Sequence, residues 1–315
     1  MKLKAVLRQF LVVAVSLLAT FSAAWAAEKN GFNLDNSIIS VGDIRWGGPP
    51  KDGIPSIDKP KFVSANKADY LKETDRVLGL SLNGVERAYP INILNWHEIV
   101  NDSVGGEPVV VSFCPLCGTG MVFKPFAQDK QLEFGVSGLL YQSDMLLYDR
   151  ETESLWSQIS RTSVAGELVG TELELIPFQH TTWKAWLAAH PNTEVLSEET
   201  GFYRNYRRDP YEGYADSRRI MFPVNNESEL PIHPKEQVVG LEIDGQFKAY
   251  PFSELAKMKG EYITDKFAGE SVKVWWDDQA GAGWVTDEKN EAIATVTAFW
   301  FAWFAFHPGT LVHNH

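Results

Sequence analysis

One pattern occurs twice in this chain, and that repeat restricts its fold more than any other feature. Leu78-Gly79-Leu80-Ser81-Leu82-Asn83-Gly84, followed by Ala88-Tyr89-Pro90, is matched by Val239-Gly240-Leu241-Glu242-Ile243-Asp244-Gly245, followed by Ala249-Tyr250-Pro251. Each stretch reads as two alternating strands joined at Asn-Gly or Asp-Gly, the strongest short-range hairpin signal. Gly106–Phe113 matches Gly269–Trp276, and Thr182–Trp186 with His190-Pro191 matches Phe299–Trp303 with His307-Pro308. The blocks keep their order, but the last two lie much closer together in the second copy. The expected fold is α+β and strand-rich, with two duplicated halves, the second trimmed and degenerate.

The repeat divides the chain. Residues 1–26 read as a signal peptide: Lys2, Lys4 and Arg8 precede an apolar stretch from Phe10 to Thr20, and Ala24-Trp25-Ala26 forms a cleavage pattern. Residues 27–76 form an irregular N-terminal segment. Residues 77–196 are the first copy, 197–236 a Tyr/Arg-rich connection and 237–315 the second copy. The apolar leader is shorter than a membrane span, and no later uncharged run reaches that length, so a soluble periplasmic or secreted protein is expected.

Strands are expected at 109–113, 120–123, 132–136, 145–148 and 163–169, and helices around 91–100 and 182–189. His190 and His307 precede prolines that stop their helices, and they read as structural residues at a helix end where a cation is favoured.

The charge balance narrows the function. Of 315 residues, 29 are basic and 41 acidic, giving a net charge of −12. That disfavours a nucleic-acid partner, because phosphate binding requires clustered Lys and Arg. The aromatic and basic residues of the connection read as a loop packed across the two copies. Two cysteines are too few for a disulfide scaffold or a four-cysteine zinc site.

Those two cysteines form the strongest chemical signal, Cys114-Pro115-Leu116-Cys117-Gly118-Thr119-Gly120, set between two expected strands. Three readings remain open. A metal knuckle would aim both sulfurs at one ion; with His97 as the leading further ligand, soft thiolates and an imidazole would suit zinc or copper. A thiol-disulfide oxidoreductase would use the same pair, although such a motif normally opens a helix and a strand follows here. A structural disulfide would leave a non-catalytic binding or scaffold module. Aligned to the second copy, Cys114 and Cys117 face Asp277 and Ala280, while Gly118 and Gly120 face Gly281 and Gly283. The turn is shared but the sulfurs and His97 are not, as expected of a functional set in one copy.

Further polar residues crowd the first copy. Glu98, Asp102, Tyr141, Ser143 and Asp144 are the candidates for a common pocket, with Glu98 and Asp102 read as four apart on one helix face. Asp149-Arg150 reads as a surface or edge ion pair. The glycine-rich segment at 135–141 lacks P-loop and Rossmann spacing, and the common hydrolase signatures are absent.

Several segments together resemble the bacterial Domain of Unknown Function 3179 family. They are Gly48–Pro55, Asn95–Asp102 with its Trp-His-Glu-Ile-Val-Asn-Asp, the cysteine loop, Gly135–Leu139, Tyr148-Asp149-Arg150 and Leu155–Gln158. The resemblance implies a secreted or lipid-anchored bacterial protein and brings no established activity. Ala27 stands where a lipoprotein would need cysteine. The best expectation is a metal-binding protein whose partner is a small molecule or a metal donor or acceptor. Whether it is an enzyme, and its oligomeric state, are not legible in the sequence.

Overall fold

The computed structural model describes residues 27–314; the expected signal peptide lies outside the described residues. Alternating apolar residues at 76–90 form two strands, Arg76–Leu82 and Val85–Pro90, closed by Asn83 and Gly84 with φ of 51° and 77°. The same hairpin recurs as Gln237–Ile243 and Gln246–Pro251, closed by Asp244 and Gly245 at 50° and 69°. Both turns are of the kind that matches strand twist, so the turn residues set the register.

Each hairpin has the same two flanking strands. Gln179–Thr182 pairs antiparallel with the first hairpin and Glu194–Leu196 pairs parallel with it. Val296–Phe299 and Leu311–Val312 do the same for the second. The helices Trp183–Ala189 and Trp300–Phe306 connect these flanking strands. In each half a tryptophan ring lies over a strand glycine. A Cβ on Gly79 would sit 2.2 Å from Trp186, and one on Gly240 would sit 2.3 Å from Trp303, so neither site accepts a side chain without repacking. The two indoles donate to Thr193 and Thr310 at 2.9 and 3.0 Å.

The fold is strand-dominated, as its alternating patterns predict. A seven-stranded sheet crosses both halves: Val296–Phe299 of the second half pairs with Thr119–Phe123 of the first, which continues to Glu107–Cys114 and Ile99–Val104. A five-stranded sheet built on Phe134–Tyr141 and Asp144–Asp149 packs near this junction, and the main core lies between them, including Met121, Phe123, Phe134, Trp156, Phe299 and Trp300. Arg45–Trp46, from the N-terminal segment, is the edge strand of that sheet. Among the described residues no helix is long and apolar enough to cross a membrane.

Four local expectations change. The helix expected around 91–100 ends at His97, because Glu98 has a φ of +59°, and a strand begins at Ile99. Glu98 and Asp102 therefore share no helix face. The strand expected at 163–169 stops at Ala165, where Gly166 turns with a φ of +99°. Asp149 does not pair with Arg150. It is buried, accepts from Thr152 and from the Trp156 indole, and holds the Asp149–Ser154 turn, while Arg150 pairs with Asp52, Asp58 and Glu133. Finally, His190 and His307 are not placed as cations. Burial lowers both their pKa values; His190 packs on Trp186 and His307 stacks on Phe247, centroids 3.9 and 3.8 Å apart.

Candidate functional site

The cysteine loop is the tip of a hairpin. Cys114 ends one strand, residues 115–118 turn, and Thr119 starts the next. The Cys117 amide donates to the Cys114 carbonyl at 3.2 Å, and the Phe299 amide donates to the Cys117 carbonyl at 2.7 Å. Gly118 takes a φ of +60°, and the Phe299 ring occupies the place of a Cβ, 2.9 Å away. Proline and glycine thus bend the loop so tightly that both sulfurs point inward.

A second hairpin meets this tip. Phe134–Tyr141 and Asp144–Asp149 are joined by Gln142 and Ser143, whose φ values are +55° and +65°. Such a turn favours Asn and Gly, so each of these residues costs about 1 kcal/mol or more in strain. The turn brings the Ser143 carbonyl to the Cys117 thiol, which donates to it at 3.2 Å, and it places Asp144 beside both sulfurs. Ligand atoms of Cys114, Cys117 and Asp144 all lie within 4.8 Å of one another, and all three residues are buried. The cysteines are free thiols.

The electrostatics of this cluster are one-sided. Asp144 is fully buried; its Oδ2 accepts from the Ile159 amide at 3.0 Å, while Oδ1 has no hydrogen-bond partner. Desolvation pushes its pKa up to about 7, against the pull of that amide and the neighbouring thiols. Glu98 is 7% exposed, and burial, with the Asp144 charge adding, pushes its pKa up to about 8. Desolvation also raises the Cys114 thiol, and raises that of Cys117 further. Neither Asp144 nor Glu98 forms an ion pair among the described residues. Two thiols and two carboxyls therefore share a buried space with no cationic side chain paired to them. Such a group holds its protons, or gives them up to a metal ion.

Beside the cluster is a cavity of about 90 Å³, lined by Glu98, Leu116, Met145, Ile54 and Tyr211 among others. The segments at 47–54, 95–98, 114–117 and 136–140 all reach its wall or the sulfurs.

Of the other residues singled out from the sequence, His97, Asp102 and Tyr141 have their partners outside the cluster. His97 is outside the Cys-Cys-Asp group. Its Nδ1 bonds the Pro55 carbonyl and its Nε2 the Tyr206 hydroxyl, both at 2.7 Å, and burial lowers its pKa. Both ring nitrogens are thus engaged, one fastening the N-terminal segment and the other the connection to the first half. Asp102 pairs with Arg87 at 2.7 Å and accepts from the Tyr89 hydroxyl at 2.6 Å. Tyr141 packs on Phe306. Ser143 contributes its carbonyl, while its buried hydroxyl has no partner.

Tyr211 and Tyr214, read from the sequence only as part of a loop packed across the two copies, were not expected beside the site. Both belong to the connection, pack against the core that contains the cysteines, and have hydroxyl pKa values raised first by burial and then by the nearby thiols or Glu98. Their abundance in the connection was the only sequence signal.

The family described as "Protein of unknown function (DUF3179)" matches residues 51–293. No curated protein and no solved structure matches the chain.

Proposed function

From the premise that this chain belongs to the DUF3179 family, whose description assigns no activity, we propose that it is a metal-binding protein whose ion sits between Cys114, Cys117 and Asp144. The observation that carries this reading is the convergence of two sulfurs and a carboxylate oxygen within 4.8 Å, with Asp144 Oδ1 buried and unpartnered. A tetrahedral zinc ion with bonds of about 2.3 Å to sulfur and 2.0 Å to oxygen needs ligand atoms roughly 3.5–3.8 Å apart, a modest contraction at most. The carboxylate also bears on the metal. Copper(I) prefers a purely soft set, whereas zinc accepts sulfur and oxygen together, so Asp144 favours zinc. Three protein ligands leave a fourth position for water or substrate, and the Glu98 cavity lies beside it. His97 is not needed as a ligand in this arrangement.

The leader pattern and the small pocket further suggest an extracytoplasmic protein handling a small molecule, or passing the ion to or from a partner, rather than one binding nucleic acid. Thiol-disulfide exchange at the same pair is the weaker reading, because burial raises both thiols and Cys117 is wholly inaccessible.

Elemental analysis tests the proposal. Protein purified without chelator should carry about one equivalent of zinc, and Asp144→Asn or the double substitution Cys114→Ser/Cys117→Ser should reduce this to less than about a tenth. Wild-type protein with no transition metal, and with a Cys114–Cys117 disulfide found by mass spectrometry, would overturn it.

A further inference from the structure

Outside the small Glu98 cavity lies a larger open cleft of about 500 Å³, and the two share Ile54 and Tyr211 as wall residues. Arg204 is the one charged side chain among the residues lining the cleft. It forms no ion pair among the described residues; its Nη1 donates to the Tyr203 carbonyl at 3.0 Å. Most of that guanidinium's donors are therefore available. Around it are aromatic surfaces. The Trp96 indole is fixed by donating to the Arg208 carbonyl at 3.1 Å, Tyr211 stands at the passage inward, and Tyr203 lies fully exposed at the rim.

We infer that this cleft binds an organic anion with a flat apolar body, its charge on Arg204 and its uncharged tip directed past Ile54 and Tyr211 toward Glu98. Charge selects the ligand class. The protein carries a net −12, which repels anions over most of its surface, yet the only charge offered in this cleft is positive. A guanidinium with free donors recognises carboxylate, sulfonate or phosphate oxygens in pairs, and aromatic walls suit a planar body. Size selects the tip. The inner cavity is roughly the volume of three water molecules, so it admits a few heavy atoms, while the body stays in the cleft. The only ionisable group lining the inner cavity besides the Tyr211 phenol is Glu98, so the tip meets one carboxyl and no cationic side chain there, which suits an uncharged polar tip. What the tip meets rests on the metal reading above, but the contact with Arg204 does not.

The probe is 1-anilinonaphthalene-8-sulfonate, set against its neutral parent N-phenyl-1-naphthylamine, with dye fluorescence titrated on the full chain. One sulfonated dye should bind per protein, at least tenfold more tightly than the neutral one. Arg204→Ala should weaken it tenfold or more, Arg204→Lys should restore part of the loss, and Arg219→Ala should leave it unchanged. Equal binding of the two dyes, or an Arg204→Ala protein that binds like wild type, would overturn the inference. Cys114→Ser/Cys117→Ser protein separates the two proposals. Dye binding retained in that variant supports the anion site whatever its metal content, and loss of binding there with the circular dichroism spectrum intact contradicts it.

Discussion

Glu98 combines a φ of +59° with a buried carboxyl, and either feature alone is costly. Gln142 and Ser143 repeat the first cost opposite it, and the Ser143 hydroxyl adds a buried group without a partner. Strain thus collects on both sides of the sulfurs, where it aims a carboxylate and a carbonyl at them. The effect can be measured at Ser143, which contributes only its backbone carbonyl. Ser143→Gly keeps that carbonyl, removes the unpartnered hydroxyl and accepts a positive φ without penalty. Metal-free Ser143→Gly protein should be more stable than metal-free wild type by about 1 kcal/mol, read as a higher urea midpoint at unchanged slope. A lower midpoint would show that the turn is unstrained.

Among the elements, the helices at 183–189 and 300–306 end on histidines whose environment is now plain. Burial is the larger influence on the ring of His307, with Arg161 adding to it, and together they lower its pKa to about 4. The unfolded value is about 6.5, so the folded chain binds this proton less readily than the unfolded chain. The contribution is complete above pH 6.5 and is lost as pH falls toward 4. Buried His180 and partly buried His190 act in the same direction. His307→Gln should therefore make stability fall less steeply between pH 6.5 and 4 in denaturant titrations at stepped pH; an unchanged slope would mean that the ring is not neutral in the fold. At this scale much was legible. Asn83-Gly84 and Asp244-Gly245 dictated both hairpins, and the Trp and His-Pro spacing marked the helices that follow Thr182 and Phe299. The helix end at His97 was not legible, because Ile91–Val100 has helical apolar spacing and nothing local requires a left-handed Glu98. The dipole argument for the histidines failed for a different reason: each ring packs on an aromatic face, His190 on Trp186 of its own helix and His307 on Phe247 of the second hairpin.

Across the whole molecule, the two halves repeat one hairpin with its flanking strands, but only the first carries the sheet at 134–165 and the sulfurs beneath it. That sheet supplies Asp144, and the connection supplies Tyr211 and Tyr214, so the site needs three parts of the chain far apart in sequence. The sulfurs announced themselves through Cys-Pro-Leu-Cys-Gly. Asp144 was one of five candidate pocket residues, and nothing marked it as a ligand until the two hairpin tips met. His97 was attractive because imidazole and thiolate commonly share a metal, yet pairing chemistry says nothing about distance, and its ring is committed to Pro55 and Tyr206. The identity of the ligand set therefore decides whether the cysteine loop is a metal centre. Zinc-edge X-ray absorption on protein purified with its metal reads that set directly. Two sulfur scatterers at about 2.3 Å with oxygen at about 2.0 Å, and no imidazole outer-shell signal, are predicted for Cys114, Cys117 and Asp144. An imidazole signal, or a metal bound without sulfur, would contradict it.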